Sequence, residues 1–543
     1  MNKPRTAKPA IRSKKPGAAG AAASFPRSNQ LHASAPRPRQ SAAPVRGGKA
    51  NPYFEGKSGA AKTGQSGSSN AFEERTPQSF SREENRPERR PAAATERKPA
   101  FKKAIPRAIE PRKTLSRPEA AAPRATKPAA KHVSGPAVPG AKISRRAAER
   151  LRTGYLWVYA SDVESVELPE GEPPALLPVA DSRGMLLGTA LYSPTSQIAL
   201  RMVSREAISE AAWLELLAER LRVAVRRRKR LLDEQTDSCR LCFSEADELP
   251  GLVVDKYGDL IILQLLAKGL DSAGVRAACV RVLSEELTPA AILERPDVRV
   301  RELEGLAAPS AEPLYLKDGV APALSTEFRL NGLRFHYDAN AGQKTGAFLD
   351  QRANYAAAAD WARKLGATGR ALDVCCYQGG FALHLAQVCQ QVTGVDASRA
   401  SLEVAEQNLE TNRALLTAPV EWVEGDAFEI LRGWSDAGEK FDVIVLDPPA
   451  FAKSQRAVEG ALRGYKELNL RALKMLRPGG LLVTCSCSHH VSWADLEASV
   501  TAASVDAHRR VRLLERRGAA LDHPVVLNLP ETEYLKCLVL EVE

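Results

Sequence analysis

Short apolar runs alternate with amphipathic stretches from about residue 370 to residue 543. A short, continuous apolar run is typical of a buried strand, whereas apolar residues at every third or fourth position are typical of a helix. Seven strand-like runs follow one another along the chain: RALDVCC, QQVTGVD, PVEWVEGD, FDVIVLD, GGLLVTCS, RVRLLER and YLKCLVLEV. Helical patterns of roughly 10–15 residues separate most of them, which predicts a doubly wound α/β fold with a mostly parallel sheet.

The chain upstream of residue 336 shows two other patterns. Residues 141–210 hold short apolar runs broken by turns, and Asp181-Ser182-Arg183-Gly184 is typical of a hairpin turn, so we predict a small β domain there. Residues 211–335 mix helical and strand patterns, and LPGLVVDKYGDLIILQLL predicts two strands joined at Tyr257-Gly258-Asp259. We therefore predict a central α/β domain over 211–335 and the seven-stranded domain over 336–543.

A dense run of basic residues ends the helical stretch that we predict from Glu206 to about Glu234. Its members are Arg226, Arg227, Arg228, Lys229 and Arg230. Most such runs are solvated helix faces, and that interpretation stays open. This run nevertheless stands in an otherwise acidic region, so it is our candidate for a surface that contacts RNA phosphates.

Charge divides the chain into two parts. Residues 1–140 contain 29 Lys and Arg, 9 Glu, no Asp and 19 of the 36 prolines, whereas the remainder has a net charge of −8. Because this first part has few aromatic residues and no apolar periodicity, we predict a disordered basic tail. A polycation of this kind would attract RNA phosphates in a salt-dependent way, and a solubilising extension is the alternative.

Composition also limits the compartment and the chemistry. No run of 18 apolar residues appears, and the basic start lacks the apolar stretch of a secretory signal, so we expect no membrane span. The nine cysteines are scattered, which favours reduced thiols in the cytoplasm. Cys239 and Cys242 form a lone C-x-x-C pair, and without a second pair of ligands we expect no metal.

A glycine turn follows the first strand of the seven-stranded domain. In ALDVCCYQGGFALHLA, the strand runs into Tyr377-Gln378-Gly379-Gly380, and Phe381 begins a helix. The two glycines would let the backbone approach a ligand closely. Their spacing differs from the G-x-G-x-x-G that cradles a pyrophosphate, so the turn favours a cofactor without phosphates over NAD.

Acidic residues stand at the tips of the next two strands. Asp396 in VTGVDAS is placed to accept from ribose hydroxyls, and Asp426 in VEGDAF is placed near an adenine edge. Either could instead be a helix N-cap, which aspartate often is. Their order at successive strand tips indicates S-adenosylmethionine, and we assign Asp373 and Tyr377 to the same cofactor site.

The fourth strand ends in FDVIVLDPPAFAKS. Asp447 is followed by Pro448 and Pro449, which stiffen the loop because proline fixes φ and removes a backbone donor. Such a loop suits the edge of a base extruded from nucleic acid. Enzymes that methylate amino groups place an aromatic residue directly after the prolines, whereas here Ala450 stands there and Phe451 follows. This arrangement favours methylation at a ring carbon.

Two cysteines lie at the end of the fifth strand, in LLVTCSCSHHV. Carbon 5 of a pyrimidine is a poor nucleophile, and a thiolate that adds to carbon 6 makes it reactive. Cys485 and Cys487 both have suitable spacing and alternation puts them on the same side, so the pattern does not separate them. Both could instead be ordinary buried residues. His489 and His490 follow and could assist proton removal.

These motifs together resemble one known family over about three quarters of the chain. The segments LYSPTSQI, ELPGLVVDKYGDLIILQLL, GQKTGAFLDQR, YQGGFA, FDVIVLDPPAFAKS, RGYKELNLRAL, SCS and DHPV…ETEYLK resemble the RlmI-type large-subunit (23S) ribosomal RNA cytosine-5 methyltransferases. The resemblance implies a PUA RNA-binding domain, a central α/β domain and a Rossmann-like methyltransferase domain. The long basic tail and the pair Cys375-Cys376 depart from the family pattern.

Residue roles also follow from the resemblance. The cysteine of SCS is Cys487, which the family would use as the nucleophile, with Asp447 holding the base and contacting the cofactor. The stretch from Lys344 to Arg352 would lie against the cofactor and cap the site. Its candidate contact residues are Phe348, Asp350, Gln351 and Arg352.

We therefore expect an S-adenosylmethionine-dependent enzyme that forms 5-methylcytosine in large-subunit ribosomal RNA. One alternative is a guanine N-methyltransferase on the same RNA, and another is a non-catalytic RNA-binding factor in ribosome assembly. We expect no membrane or metal partner. The target nucleotide, the role of the tail and the assembly state, including a homodimer, stay open.

Overall fold

The computed structural model describes residues 140–171, 174–319, 324–339 and 346–543. The predicted basic tail, and Lys344 and Thr345 of the predicted capping stretch, lie outside these residues. No helix in the described ranges is long and apolar enough to cross a membrane.

A six-stranded mixed sheet opens the described chain, with strand order β2-β6-β5-β4-β1-β3. Its elements are β1 Gly140–Ile143, α1 Arg145–Arg152, β2 Trp157–Tyr159, β3 Val163–Glu167, β4 Leu176–Asp181, β5 Leu186–Tyr192 and β6 Ile198–Ser204. The predicted hairpin turn after Asp181 is confirmed, because that carboxylate accepts from the backbone of Arg183 and Met185. Helix α1 packs its alanines and Leu151 on this sheet.

The central part forms a five-stranded sheet, order β11-β10-β9-β8-β7, packed against helices. Its elements are α2 Glu210–Lys229, β7 Cys239–Phe243, β8 Leu252–Tyr257, β9 Leu260–Leu265, α3 Ala273–Leu287, β10 Ala291–Glu294, α4 Val298–Glu304 and β11 Tyr315–Leu316. The predicted β8–β9 turn is confirmed. Trp213 and Leu221 of α2 meet Val254 and Ile261 in one apolar cluster, which fixes the helix on the sheet.

A two-stranded hairpin of β12 (Ser325–Leu330) and β13 (Leu333–Asp338) links the central part to the last one. Tyr337 stacks on Tyr257, with ring centroids 4.1 Å apart. Asn412 of the last domain accepts from the backbone N–H of Arg334. Our boundary between residues 335 and 336 therefore falls inside β13, since the hairpin packs against both neighbours. The four domain limits stay a prediction.

The last part is a seven-stranded sheet with helices on both faces. Its elements are α5 Arg352–Leu365, β14 Arg370–Val374, α6 Gly380–Leu385, β15 Gln391–Asp396, α7 Arg399–Asn412, β16 Val420–Glu424, α8 Ala427–Ala437, β17 Phe441–Leu446, α9 Val458–Met475, β18 Leu476–Ser486, α10 Trp493–Asp506, β19 Val511–Arg517 and β20 Lys536–Val542. The seven predicted strand runs are thereby confirmed. Their order is β16-β15-β14-β17-β18-β20-β19, and β20 runs antiparallel to both of its neighbours.

Alternation along the strands builds two cores. Ala371, Val443 and Val445 face the helices α5, α6 and α7, whereas Leu372, Ile444 and Leu446 face α8, α9 and α10. The chain reverses direction across the sheet at β14, which lies between β15 and β17. Loops that leave adjacent strands in opposite directions open a crevice beyond their carboxyl ends, and this switch point is where ligands bind in such folds.

Candidate active site

The loop from β14 to α6 has an unusual backbone at the switch point. Cys375 and Tyr377 adopt positive φ angles of 62° and 51°, and Gly379 follows at 84°. The backbone N–H of Tyr377 donates to Asp396 Oδ2 at 2.9 Å, which ties the loop to the tip of β15. Left-handed backbone at non-glycine residues costs free energy and is found where surrounding contacts impose it.

The two glycines of this loop are required by their neighbours. A Cβ atom on Gly380 would lie 2.4 Å from Cζ of Tyr355, and one on Gly379 would lie 2.8 Å from the ring of Trp422. The sequence predicted that these glycines admit a ligand. The structure shows that they also leave room for the rings of Tyr355 and Trp422, which pack directly against the loop.

Three carboxylates influence one another at this end of the sheet. Asp373 is fully buried in β14, and its Oδ2 accepts from Ala382 N at 2.8 Å. Its Oδ1 has no hydrogen-bond partner among the described residues. Burial raises the pKa of Asp373 well above its ordinary value, and the charges of Asp447 and Asp396 raise it further. A bound cation would relieve both the burial of this carboxyl and its repulsion by the two neighbouring charges, so the site favours a cationic ligand.

Asp396 and Asp426 lie at the strand tips where the sequence placed them. Asp396 accepts from the backbone of Tyr377 and Ser398, so it shapes the loop with both oxygens. Asp426 is exposed and caps α8, with Oδ1 accepting from Phe428 N at 2.9 Å and Glu429 N at 3.1 Å. The helix-cap interpretation is correct for Asp426, and its contact with a cofactor stays a prediction.

Part of the predicted capping stretch lies against the glycine loop. The ring of Phe348 meets that of Tyr377 edge-on, with centroids 4.9 Å apart, and Tyr377 OH donates to Gly346 O at 2.9 Å. No pattern in the sequence pointed to this contact; only the family resemblance implied it.

Arg352, Asp350 and Gln351 turn into the protein instead. Arg352 is buried, with an ion pair to Asp522 at 3.3 Å and a hydrogen bond to Ser238 O at 3.1 Å. Asp350 accepts from the hydroxyl of Tyr534, and Gln351 Oε1 accepts from Asn354 Nδ2. The structure corrects the prediction for Arg352, because its guanidinium is committed to a buried carboxylate between domains.

The Asp447–Phe451 loop leaves β17 beside the glycine loop. The backbone N–H of Asp447 donates to Val374 O at 3.2 Å, which joins the starts of the two loops. Pro448 is buried, whereas Pro449 is exposed. The ring of Phe451 packs on Tyr465 of α9, with centroids 4.9 Å apart. Phe451 therefore holds the loop on α9 in this conformation.

The structure separates the two cysteines that spacing left equivalent. Strand β18 ends at Ser486, so Cys485 lies within the sheet and Cys487 lies just beyond it. Cys485 is fully buried opposite Cys537, and this neighbour and burial raise the pKa of its thiol well above the ordinary value. Cys487 is partly exposed, and its Sγ lies 3.9 Å from Pro448 O in the Asp-Pro-Pro loop.

A buried polar layer lies behind Cys487, and sequence patterns did not reveal it. We define this layer as Tyr465, Ser488, Tyr534 and Lys536. The ammonium of Lys536 donates to Ser488 O at 2.8 Å and to Tyr534 O at 2.9 Å. The hydroxyls of Tyr465 and Ser488 lie 3.1 Å apart. A lysine inside an apolar strand was the available signal, because a buried lysine needs a specific reason.

The two predicted histidines stand at the rim. His489 and His490 are both exposed, and the ring of His489 packs against that of Tyr534 with centroids 5.6 Å apart. His489 therefore lies beside the polar layer, and its role in proton removal stays a prediction.

The basic run at the end of α2 is largely occupied by acidic partners. Arg228 is buried, and its guanidinium holds both oxygens of Asp247 at 2.6 and 2.8 Å. Arg226 donates to Glu286, and Lys229 donates to the backbone carbonyl of that residue. The structure corrects the phosphate-contact prediction for Arg228. For the exposed residues Arg226, Arg227, Lys229 and Arg230 it stays a prediction.

The C-x-x-C pair is part of the central core. Cys239 and Cys242 are fully buried in β7, and burial raises the pKa of the Cys239 thiol to about 12. The described residues contain no group of three or more side chains suited to hold a metal ion. None of the nine cysteines forms a disulfide, and all nine lie in the described ranges.

Two family models match the chain. A PUA-like domain matches residues 141–205, and an S-adenosylmethionine-dependent methyltransferase matches residues 278–524. The first of these covers the six-stranded sheet. The second begins inside the central part and includes both loops of the switch point, so the cofactor is S-adenosylmethionine.

Curated relatives extend over nearly their whole length. The chain is 38% identical over 383 residues to the ribosomal RNA large subunit methyltransferase I of Erwinia tasmaniensis, which covers 70% of this chain and 93% of the relative. It is 35% identical over 403 residues to the enzyme of that name from Salmonella arizonae, covering 74% and 97%.

A solved structure shows the same fold. An S-adenosylmethionine-dependent methyltransferase from Streptococcus mutans superposes with a TM-score of 0.62 at 19% identity, over 74% of this chain and all of that one. A second structure with the same match was solved with S-adenosylhomocysteine. With a PUA-like domain, a methyltransferase domain and full-length relatives, the chain belongs to the ribosomal RNA large subunit methyltransferase I family and is an S-adenosylmethionine-dependent methyltransferase.

Proposed function

We propose that this methyltransferase forms 5-methylcytosine in large-subunit ribosomal RNA and that Cys487 is its nucleophile. The observation that carries the proposal is the position of Cys487, partly exposed beyond β18 with Sγ 3.9 Å from Pro448 O. The other candidate, Cys485, is fully buried in an interior strand of the sheet, where a base cannot reach its thiol.

The RNA substrate is supported by the relatives and by the domain order. The curated relatives are named as methyltransferases of the ribosomal RNA large subunit. A PUA-like domain stands before the catalytic domain and would bind the RNA, and the basic residues 1–140 would add salt-dependent attraction. A cytoplasmic location, where ribosomes are assembled, is part of this proposal.

The residues around the switch point fit S-adenosylmethionine. That molecule supplies an electrophilic methyl group on a positively charged sulfur, beside an ammonium group. Buried Asp373, with its unpartnered Oδ1, and the neighbouring carboxylates Asp396 and Asp447 would stabilise those positive charges. Exposed Asp426 keeps Oδ2 available for the adenosine end.

Cys487 would make carbon 5 reactive by covalent addition. Its thiolate would form a bond to carbon 6 of cytosine, and the displaced π electrons would move to carbon 5. The cofactor would supply the methyl group there, and its sulfur would keep the electrons of the bond that breaks. A base then removes the proton from carbon 5, the bond between sulfur and carbon 6 breaks, and the thiolate is released. His489 is our candidate for that base because it lies at the rim beside Tyr534.

Asp447 would hold the base during this addition. Its loop begins at β17, and the neighbouring Pro448 carbonyl contacts Cys487, so a base held by Asp447 would lie beside the thiol. A carboxylate hydrogen-bonded to the amino edge of cytosine favours addition at carbon 6, because it stabilises a protonated ring nitrogen.

Trapping with RNA that contains 5-fluorocytosine tests the proposal. Fluorine at carbon 5 blocks the last proton removal, so the wild-type protein should form a covalent complex that survives denaturing electrophoresis. Cys487→Ala should lose the complex and at least about 10³-fold in methylation rate. The matched control is Cys485→Ala, which should keep both.

The opposite result is equally informative. Loss of the covalent complex in Cys485→Ala together with full activity of Cys487→Ala would show that the nucleophile is misassigned. Methyl groups found on guanine would contradict the carbon-5 chemistry altogether.

A further inference from the structure

Lys536 occupies a position that neither the family models nor the cofactor site explain. It begins β20 and lies directly opposite Ser486, the residue before Cys487, in the antiparallel register of β18 and β20. Only 3% of its surface is exposed. A buried ammonium is costly unless hydrogen bonds and an anion compensate it.

Two backbone carbonyls accept hydrogen bonds from the ammonium of Lys536. Of its three donors, one goes to Ser488 O at 2.8 Å and one to Tyr534 O at 2.9 Å. Both acceptors are neutral carbonyls, so neither of them is a counter-ion for the positive charge. Ser488 is also the residue after Cys487, which places the charge beside the segment that carries the thiol.

The two acidic residues whose charges act on Lys536 are held by other groups. Glu533 is exposed and accepts from Trp493 Nε1 at 2.9 Å, and Asp495 is part of the N-cap of α10 with Ser492. Burial lowers the pKa of Lys536. The strongest opposing influence is the charge of Cys487, ahead of Glu533 and Asp495.

We propose that Lys536 is a positioning residue whose buried ammonium stabilises the thiolate form of Cys487 and so sets the pH at which the enzyme becomes active. This inference rests on the proposed function of Cys487. The ion pair would form across the end of β18, where the chain turns away from the sheet.

The other titratable groups around Cys487 do not supply this charge. Tyr465 and Tyr534 are buried, and burial raises the pKa of both, so they stay neutral hydroxyls. Asp447 belongs to the loop that contacts Sγ, and a negative charge there would oppose formation of the thiolate. Asp350 accepts a hydrogen bond from the hydroxyl of Tyr534 and is likewise acidic. His489 packs on Tyr534 and is the competing cation if it becomes protonated.

Alkylation by iodoacetamide as a function of pH tests the inference without RNA. Modification of Cys487 is followed by mass spectrometry of its peptide, with Cys487→Ala as the assignment control. The wild-type midpoint should lie well below about 8.5, the value of an ordinary cysteine. Lys536→Met should raise it by about one unit or more, which slows alkylation at pH 7 about tenfold, and Lys536→Arg should restore it.

Three results would overturn the inference. The first is an unchanged midpoint in Lys536→Met that still binds S-adenosylhomocysteine. The second is a wild-type midpoint at or above about 8.5, which needs no variant. The third applies if Lys536→Met does not fold, and it compares His489→Gln with wild type. A higher alkylation midpoint in His489→Gln would assign stabilisation of the thiolate to His489. An equal midpoint in the two proteins supports Lys536.

The methylation assay separates this inference from the proposed function. If Cys487→Ala keeps methylation while Lys536→Met still shifts the alkylation midpoint, the nucleophile assignment fails and the ion pair stands. If both hold, the acid side of the pH–rate profile should move with the alkylation midpoint in Lys536→Met.

Discussion

Single residues at the switch point show how far a side chain's chemistry depends on where its strand ends. Alternation along a strand predicted that Cys485 and Cys487 share a side. Strand β18 ends at Ser486, so the regular alternation does not extend to Cys487. Burial then makes one cysteine a core residue and leaves the other beside the Asp-Pro-Pro loop. The exact end of a strand depends on tertiary hydrogen bonds, which no local pattern reports.

His384 is a second residue whose role only the structure reveals. It is buried beneath the glycine loop, with Nδ1 2.7 Å from Gly380 O and Nε2 3.0 Å from Asn331 Nδ2. The carbonyl of Gly380 requires a proton on Nδ1, and the amide of Asn331 donates to Nε2. Burial lowers the pKa of His384 to about 4. The imidazole is therefore neutral at pH 7 and supports the loop.

Acidification should weaken this support. The unfolded chain takes up the proton near pH 6.5, before the folded one does near pH 4, so the stabilisation from neutral His384 is complete above pH 6.5 and is lost as the pH falls between these values. The loss amounts to about 3 kcal/mol of unfolding free energy. Denaturant unfolding at a series of pH values should show this slope in wild type and not in His384→Gln. Exposed His490→Gln should behave as wild type, and equal slopes in wild type and His384→Gln would contradict the prediction.

At the scale of elements, the seven strand runs were predictable because each is a short segment rich in apolar residues that stands between helical patterns or turns. The strand order, with β20 between β18 and β19, was not, because pairing partners far apart in sequence leave no periodic signal. The contact of Phe348 with Tyr377 was likewise hidden, since Gly346 to Phe348 belong to no helix or strand.

The loop from β14 to α6 yields a prediction for the element as a whole. Gly380→Ala forces Tyr355 to move, so it should cost about 1–3 kcal/mol of unfolding free energy and weaken S-adenosylhomocysteine binding. Gly433 in α8 is the matched control because nothing lies within 4 Å of its added Cβ. Gly433→Ala should raise stability by up to about 1 kcal/mol and leave binding unchanged. Urea unfolding and calorimetric titration measure both quantities, and a stable Gly380→Ala with normal affinity would be evidence against the steric requirement.

At the scale of the whole molecule, one loop ties the three parts together. This loop is the segment 518–535 between β19 and β20. Its Glu531 accepts a hydrogen bond from the hydroxyl of Tyr155 in the PUA-like part. Its Asp522 accepts from Arg240 N of the central part at 2.8 Å and pairs with Arg352 of the methyltransferase part. Sequence composition predicted separate domains, but such contacts between distant residues could not be read from it.

Arg228 belongs to the same set of contacts between parts. Besides Asp247, it donates to Asp522 O at 3.2 Å. Arg228→Ala should therefore cost about 3–5 kcal/mol, because it leaves Asp247 buried without its partner. Exposed Arg227→Ala should change unfolding free energy by less than about 1 kcal/mol. If Arg227 contacts phosphate, Arg227→Ala should lower RNA affinity in filter binding and make that affinity less dependent on salt concentration. A well-folded Arg228→Ala with reduced RNA affinity would instead support the prediction that Arg228 contacts RNA phosphates.

The position of β20 has a consequence for how this protein comes into existence. It is the last of the seven strands to leave the translating ribosome, yet it fills the gap between β18 and β19 and carries Lys536 beneath the catalytic loop. Until it emerges, β18 and β19 each have an unpaired edge, and the segment that carries Cys487 lacks the ammonium of Lys536. We therefore expect the nascent chain to stay without methyltransferase activity until β20 has left the ribosome and paired with both of its neighbours.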